Sequence, residues 1–204
     1  PALKLSGDFF DSFVRDNGFE CFCLGDVSGK GTSASLLMAK TISLFRCLSS
    51  VETSLASVVK LINSALWETS VRGMFVTFTA GWFDTKNQQL CLINAGHLAT
   101  IIIEKKGIVQ LPSQCPPLGI IEQIDFEELS VTFDNGRLYL YSDGLTEYRT
   151  ESGEELGVKG LLRWLLRSKN LSVTQQLDWI KETLAEQAIK PNDDLTLMII
   201  DSQR

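Results

Sequence analysis

The sequence has few of the side chains that bind soft metals or cross-link small folds. Its 204 residues include one histidine, and its five cysteines are odd in number and form no Cys-x-x-Cys pair. This usage indicates neither a disulfide framework nor a zinc site, and it fits a reducing compartment best. Cys21 and Cys23 alternate with Phe22 and Leu24, which predicts that the two thiols pack as small apolar groups in a strand.

Long apolar runs and clustered basic residues are also missing. No stretch approaches the roughly 18 consecutive apolar residues of a membrane span, and 19 Lys and Arg against 25 Asp and Glu give a formal net charge of −6. A chain without a basic excess is a poor ligand for nucleic-acid backbones. We therefore expect one domain over residues 1–204, with no nucleic-acid partner and no membrane contact from this segment.

Neither an initiator methionine nor a signal peptide opens the chain, which begins Pro1-Ala2-Leu3. We expect a segment excised from a longer protein, so upstream sensor or targeting segments stay open. The expected location is cytoplasmic, either for the domain alone or for the cytoplasmic part of a larger protein that carries a membrane anchor elsewhere.

Apolar periodicity predicts a mixed fold of antiparallel strands and helices. The β-rich runs predict strands over residues 9–14, 19–27, 76–83, 90–94, 100–104, 126–133, 137–141 and 195–200. Helical spacing predicts helices over residues 32–48, 55–66, 161–166 and 177–184, with a break at 49–50 and a cap at Ser172 or Thr174. The expected class is α+β, an antiparallel β-sandwich flanked by helices in αββα layers.

Turn residues predict two β-hairpins within this order. Asp16-Asn17-Gly18 would reverse the chain between the first two strands and bring Asp8 back toward Asp26. Asn135-Gly136 would join the strands at 126–133 and 137–141 in the same way. The remaining short strands are expected to follow one another as an antiparallel meander.

Aspartates stand where the predicted strands meet turns. Asp26 and Asp143 each follow a β-rich run, and Asp194 precedes the last one. Carboxylates are hard ligands that suit magnesium or manganese, and two such ions about 4 Å apart can activate a water molecule for attack on phosphorus. Any one of these aspartates could simply cap a turn or a helix. Their recurrence favours a shared metal site.

Residues 28–32, Ser-Gly-Lys-Gly-Thr, invite comparison with a phosphate-binding P-loop. The full P-loop pattern requires glycine at position 24 and serine or threonine at position 31, where this chain has Leu24 and Gly31. The antiparallel surroundings also disagree with the parallel sheet of that fold. A nucleotide-cradling loop is therefore not predicted.

Six short motifs follow one another along the chain. They are Ser6-Gly7-Asp8-Phe9-Phe10-Asp11, Gly25-Asp26-Val27-Ser28-Gly29-Lys30-Gly31, Asn94-Ala95-Gly96-His97, Pro117-Leu118-Gly119, Tyr141-Ser142-Asp143-Gly144-Leu145-Thr146-Glu147 and Asp193-Asp194-Leu195-Thr196. Together they resemble the bacterial metal-dependent protein phosphatases of the protein phosphatase 2C type, typified by the stage II sporulation protein E phosphatase domain. The resemblance implies a β-sandwich flanked by helices, with a two-metal centre at its edge.

The resemblance also implies a set of metal ligands. Asp8, Asp26 and the Val27 backbone carbonyl would hold one manganese or magnesium ion, and Asp26, Asp143 and Asp193 would hold the second. A water between the two ions would attack phosphoserine or phosphothreonine directly, without a phosphoenzyme. Asp26 and Asp143 would thus act in catalysis through the metal-activated water.

Four further residues complete the expected site. Asp11 and Asp194 would orient metal-bound waters without binding the ions themselves. Lys30 would lend positive charge to the incoming phosphate, with a solvated turn lysine as the alternative. His97 is expected to be a hydrogen-bonded structural residue more readily than a catalytic one.

The expected function is that of a metal-dependent serine/threonine protein phosphatase. By resemblance, its substrate would be a phosphorylated signalling protein, an anti-sigma-factor antagonist, and an upstream sensor domain or activating protein would control it. The alternative is a catalytically silent signalling module of the same fold that binds a regulatory partner.

Overall fold

The computed structural model describes residues 7–69, 73–150, 153–186 and 194–203, which form two antiparallel β-sheets and five helices. The strands are β1 (Asp8–Val14), β2 (Glu20–Val27), β3 (Val76–Asp84), β4 (Gln89–Ala95), β5 (Thr100–Glu104), β6 (Gly107–Leu111), β7 (Leu129–Thr132), β8 (Gly136–Tyr141) and β9 (Leu197–Asp201). The helices are α1 (Thr32–Val51), α2 (Leu55–Thr69), α3 (Asp143–Thr146), α4 (Gly157–Ser168) and α5 (Val173–Glu186).

The strands divide into two sheets of simple order. The first sheet has the order β1-β2-β3-β4-β7, and the second has the order β6-β5-β8-β9. All neighbouring strands in both sheets run antiparallel. Strand β2 is therefore internal to the first sheet and β8 is internal to the second.

Three apolar layers hold the sheets and helices together. One lies between the first sheet and helices α1 and α2, one lies between the two sheets, and one lies between the second sheet and helices α4 and α5. Strand β2 serves two layers, because Cys21 and Cys23 face the helices whereas Phe22 and Leu24 face the second sheet. This arrangement confirms the predicted αββα class and the apolar role of the two thiols.

The first hairpin forms as predicted and sets the register of the site. The Arg15 N–H donates to the Phe19 carbonyl, and the Gly18 N–H donates to the Arg15 carbonyl. Gly18 has φ of 87°, a left-handed conformation that glycine adopts without a steric penalty. The resulting register places Asp8 opposite Asp26, seven positions from the turn along β1.

The second predicted hairpin is wrong. Asn135 adopts the left-handed φ of 53° that its turn signal indicates, but β7 before it belongs to the first sheet and β8 after it belongs to the second. The turn therefore carries the chain from one sheet to the other. Local turn chemistry specifies a reversal of direction, whereas the pairing partner is chosen by the apolar faces of the strands.

Smaller differences concern element boundaries. Strand β6 was not predicted, since it is an edge strand of the second sheet in which four of the five residues are exposed and only Leu111 is partly buried. The helical break falls at residues 52–54 instead of 49–50, and Ser49 is buried within α1. Ser172 caps α5, because its hydroxyl accepts from the Gln175 N–H while the Gln175 side chain accepts from the Ser172 N–H.

Helix α1 is long and apolar enough, with a mean hydropathy of 1.2, to meet a length and composition test for a membrane span. In this structure, one face of the helix lies against the first sheet. The buried residues on that face are Ala34, Leu37, Thr41, Phe45 and Ser49. The helix thus buries one face on the first sheet and leaves apolar side chains such as Leu36 and Val51 exposed on the other.

Arg137 fastens the second sheet to the turn between α4 and α5. Its guanidinium donates to the Asp201 carboxylate at 2.8 Å, to the Gln176 side chain at 2.8 Å and to the Leu171 carbonyl at 2.7 Å. The Arg137 and Asp201 side chains are only 15% and 18% exposed. A planar group with several donors suits this position, and the single ammonium of lysine would leave acceptors unpaired.

We expect Arg137→Lys to lower the free energy of unfolding by about 2–4 kcal/mol, since it breaks a mostly buried network. Urea denaturation measures this loss. The matched control is Arg149→Lys, because the Arg149–Glu155 pair is 56% exposed on both sides. The control should change stability by no more than about 0.5 kcal/mol. Equal losses in the two variants would contradict the assignment.

Candidate functional site

Asp8 and Asp26 face each other at the open end of the β1–β2 hairpin. Directly opposite residues on antiparallel strands have their Cβ atoms about 4.5–5.5 Å apart and point to the same side of the sheet. Asp26 is in phase with Phe22 and Leu24, which pack between the two sheets. Both carboxylates therefore point toward the gap between the sheets, at its edge.

Gly7 has no side chain beside Asp26 Oδ1 and the Val27 carbonyl oxygen, the two expected metal-binding oxygens at the end of β2. A Cβ atom at position 7 would lie 2.3 Å from Asp26 Oδ1 and 3.0 Å from the Val27 carbonyl oxygen. The Val27 N–H donates to the Gly7 carbonyl, which keeps the two chains in register at this point. A side chain at position 7 would fill the space that Asp26 and Val27 border.

The ends of β8 and β9 meet this hairpin through Ser142 and Thr196. The Ser142 N–H donates to the Thr196 carbonyl, and the Thr196 N–H donates to Ser142 Oγ, both at 3.1 Å. Thr196 Oγ1 in turn donates to Asp8 Oδ2 at 2.6 Å. Because Asp143 directly follows Ser142 and opens α3, these bonds bring the acidic end of the second sheet to Asp8.

Neighbouring carboxylates leave Asp8 in an unfavourable environment for its charge. Burial raises the pKa of Asp8 above its ordinary value, and the negative charges of Asp143 and Asp194 raise it further. Hydrogen bonds from Ser142 and Thr196 lower the pKa but do not offset these effects. The site thus concentrates negative charge that a divalent cation would neutralise.

A cavity of about 250 Å³ opens beside the carboxylates. The residues that line it come from both sheets and are Asp26, Thr77, Gly96, His97, Leu98 and Asp143. Asp26 and Asp143 therefore border the same cleft from opposite sheets. A cleft of this size has room for a small charged group, such as a phosphoryl group, together with water.

The residues present fit a hard divalent cation by their chemistry. Two facing carboxylates, a backbone carbonyl and the space beside Gly7 form an all-oxygen environment of the kind that magnesium and manganese prefer. Within the described ranges, no three His, Cys, Asp or Glu side chains converge closely enough to hold an ion by themselves. Asp193, the remaining predicted ligand, lies outside the described residues.

Asp11 has a different environment from the one expected. It is three residues from Asp8 on β1, so its side chain points to the opposite face of the sheet, toward α1. Both of its carboxylate oxygens accept hydrogen bonds from the Arg46 guanidinium. Asp11 thus ties β1 to α1 and lies apart from the cleft.

Asp194 and Lys30 lie at the periphery of the cleft. Asp194 is exposed, its backbone carbonyl accepts from Ser142 Oγ at 3.3 Å, and its charge is felt at Asp8. Lys30 lies on the exposed turn between β2 and α1, outside the residues that line the cavity. Their expected roles with water and phosphate stay predictions.

His97 is buried and hydrogen-bonded on both ring nitrogens. Nε2 lies 3.2 Å from the Tyr141 carbonyl, which only accepts, so Nε2 carries the proton. Nδ1 then accepts from Thr77 Oγ1 at 2.9 Å. Burial lowers the pKa of His97 from 6.5 to about 4, and the nearby Asp143 opposes this shift without reversing it. The ring is therefore neutral at physiological pH, as befits the predicted structural role.

Sequence reasoning missed Thr77, Ser142 and Thr196 as parts of the site. Ser142 and Thr196 stand inside the quoted motifs next to the aspartates, so their hydroxyls could have been considered. Thr77 stands in a buried strand with no motif around it. Only the register, which pairs Thr77 with Asp26, identifies it.

We expect Gly7→Ala to weaken manganese binding by about tenfold or more, because the new methyl group displaces the Asp26 carboxylate. Isothermal titration calorimetry measures the affinity. Gly7 has no left-handed φ, so the backbone accepts alanine and circular dichroism should show an unchanged fold. Wild-type manganese affinity in this variant would show that the space beside Gly7 is irrelevant to the metal.

His97 also predicts how stability depends on pH. Above pH 6.5 the ring is neutral in both folded and unfolded chains, whereas between pH 6.5 and about 4 only the unfolded chain gains the proton. Acidification through this window should cost the wild type on the order of 3 kcal/mol more than it costs His97→Gln. Urea denaturation at pH 7, 5.5 and 4.5 measures the difference, and parallel pH profiles of the two proteins would refute it.

Comparison with known proteins relates this geometry to a family. The chain is 30% identical over 214 aligned positions to Protein IcfG of Synechocystis sp., with 90% of the chain and 33% of that protein covered. It is 27% identical over 206 positions to phosphoserine phosphatase RsbU of Bacillus subtilis, with 98% of the chain and 60% of that protein covered. The chain thus spans between one third and three fifths of the length of these relatives.

A solved structure has the same fold. The SiaA-PP2C domain of Pseudomonas aeruginosa matches 96% of this chain and 80% of its own with a TM-score of 0.82 at 18% identity. The model of the family described as Stage II sporulation protein E (SpoIIE) matches residues 17–203. That match includes strands β2 to β9, all five helices and the positions of Asp26 and Asp143, so the chain belongs to the stage II sporulation protein E family of phosphatase domains.

Proposed function

We propose that this domain is a metal-dependent serine/threonine protein phosphatase that removes phosphate from a signalling protein. The observation that carries the proposal is that Asp26 and Asp143 border one cleft from the two sheets, with Asp8 opposite Asp26 on the neighbouring strand. Family membership and the similarity to RsbU, a phosphoserine phosphatase, support the same reaction.

Two manganese or magnesium ions are the proposed cofactors. Asp8, Asp26 and the Val27 carbonyl would hold one ion, and Asp26, Asp143 and Asp193 would hold the other. When bound, such ions lower the pKa of water and neutralise the charge that develops on a phosphoryl group in hydrolysis. All-oxygen coordination favours these ions over zinc or copper.

The residues of the chain position that chemistry. Thr196 holds one carboxylate oxygen of Asp8, and Ser142 joins the Asp143 turn to the start of β9. The Asp26 backbone N–H donates to Thr77 Oγ1 at 3.2 Å, which fixes the peptide on which the central ligand is carried. His97, neutral and bonded on both sides, has no free proton to give to a leaving group, so the proposal assigns it no catalytic step.

The proposed substrate is a phosphoserine or phosphothreonine on an anti-sigma-factor antagonist, and the proposed controller is an upstream sensor domain or an activating protein. Family membership supports this substrate class, and the relatives' greater length leaves room for controlling segments. The cytoplasm, where such signalling proteins meet, is the proposed location.

We expect Asp26→Asn and Asp143→Asn each to lower manganese-dependent phosphate release from a phosphoserine peptide about 100-fold or more. A neutral amide is a poor replacement for a charged hard ligand, and both positions border the cleft. Chelation with EDTA should abolish the wild-type rate, and added manganese should restore it. The control is Asp125→Asn, because Asp125 is 92% exposed and pairs only at the surface with Lys60.

Two outcomes would overturn the proposal. A chelated wild type that keeps its rate would exclude metal-dependent hydrolysis. A folded wild type that releases no phosphate with manganese or magnesium, yet binds a regulatory partner, would favour the catalytically silent module of the same fold.

A further inference from the structure

A hydrogen-bonded chain joins the strands that carry Asp26 and Asp143. It begins at the Asp26 backbone N–H, which donates to Thr77 Oγ1 at 3.2 Å. Thr77 Oγ1 donates to His97 Nδ1 at 2.9 Å, and His97 Nε2 donates to the Tyr141 carbonyl at 3.2 Å. Tyr141 is the last residue of β8 and lies two residues before Asp143, which opens α3. The chain thus crosses from the first sheet to the second beside the cleft.

The direction of each bond follows from the Tyr141 carbonyl. Because that oxygen can only accept, His97 Nε2 must carry the proton, and Nδ1 must accept. Thr77 Oγ1 accepts the proton of the Asp26 peptide, and its own hydroxyl proton faces two acceptors, His97 Nδ1 at 2.9 Å and, at the longer distance of 3.3 Å, the Asp26 carbonyl. A proton on Nδ1 in place of Nε2 would leave the Nε2 lone pair facing the lone pairs of the Tyr141 carbonyl, so the neutral ring keeps its proton on Nε2.

The loop that supplies His97 is itself held in place. The His97 N–H donates to Asn94 Oδ1 at 2.9 Å, and the Asn94 side-chain amide donates to the Leu98 carbonyl at 2.8 Å. Gly96 has φ of 72° and lies against Pro117, so the turn between β4 and β5 is closely packed. The position of the His97 imidazole is therefore fixed by its own loop. Its two hydrogen bonds can then hold β3 and β8 at a defined separation.

A buried histidine needs hydrogen-bond partners in any protein, so the bonds alone could serve only the fold. Thr79 provides the contrast within the same strand. It lies two residues from Thr77 on the same face of β3, is fully buried, and its hydroxyl has no partner among the described residues. A threonine is therefore tolerated here without a bond, whereas the hydroxyl of Thr77 is bonded on the side of the Asp26 peptide and on the side of His97.

We propose that Thr77 and His97 are positioning residues that set the separation of Asp26 and Asp143 across the cleft, an inference that rests on the proposed metal centre. Neither residue touches substrate in this role. Each acts through the backbone of an aspartate-bearing strand end. Loss of these hydrogen bonds would let the separation of Asp26 and Asp143 vary. It would thereby weaken binding of the ion that both aspartates are proposed to hold.

The test is manganese binding by isothermal titration calorimetry on the whole domain, without substrate. Thr77→Val removes the hydroxyl at constant shape and should weaken manganese affinity about tenfold, the effect typical of lost support behind metal ligands. Thr77→Ser restores the hydroxyl and should stay within about threefold of wild type. Thr79→Val, the matched control, should bind manganese as wild type does.

A double variant separates positioning from general destabilisation. Thr77 and His97 belong to the same series of hydrogen bonds, so loss of either one already breaks it. The double variant Thr77→Val with His97→Gln should therefore bind manganese no more weakly than the weaker-binding of the two single variants. Thermal melting of each apo variant reports stability separately. Should Thr77→Val fail to fold, the comparison of His97→Gln with Thr79→Val serves the same purpose.

The outcomes distinguish this inference from the proposed function. A folded wild type that does not bind manganese would overturn the proposed metal centre. A wild type that binds manganese, with equal affinity in Thr77→Val, His97→Gln and Thr79→Val, would overturn the positioning role alone. Independent, multiplying losses in the double variant would also overturn it.

Discussion

Two like-charged carboxylates held opposite each other on neighbouring strands are the constraint to which the rest of the structure responds. Two unit charges about 5 Å apart repel by about 3 kcal/mol at the effective dielectric near a protein surface. Asp8 and Asp26 lie opposite each other in strand register, and the negative charges of Asp143 and Asp194 raise the pKa of Asp8. Apolar packing and strand pairing elsewhere must hold these groups together against their repulsion.

The register of β2 is protected by burial on both faces. A slip of one residue would turn Asp26 toward the helices and would bring Phe22 and Leu24 under α1 and α2 in place of the smaller Cys21 and Cys23. That change would disrupt the apolar packing on both sides of the strand. The central acidic side chain therefore keeps its direction even though its local electrostatics oppose it.

The sequence predicts the parts of the site that depend on local signals. The turn at residues 16–18 and the phase of β2 were enough to place Asp8 opposite Asp26, and the six motifs identified the family. Features that depend on packing across the molecule were not predictable in the same way. Asn135-Gly136 signals a tight turn but does not show that the chain changes sheet there. Asp11 belongs to the same motif as Asp8, and the motif does not show that the two side chains point to opposite faces of β1. The bonds of Thr77 require the register and both sheets to be known.

The bond from Thr196 to Asp8 joins residues 188 positions apart in the chain. Closing so long a loop has an entropic cost that is recovered only when most of the intervening structure has formed. The acidic cluster is therefore complete only after the last strand is in place. A chain still emerging from the ribosome, or one cut short before Thr196, would lack the bond to Asp8 and the two bonds to Ser142, so the β1 end and the Asp143 turn would stay untied until synthesis has passed that residue.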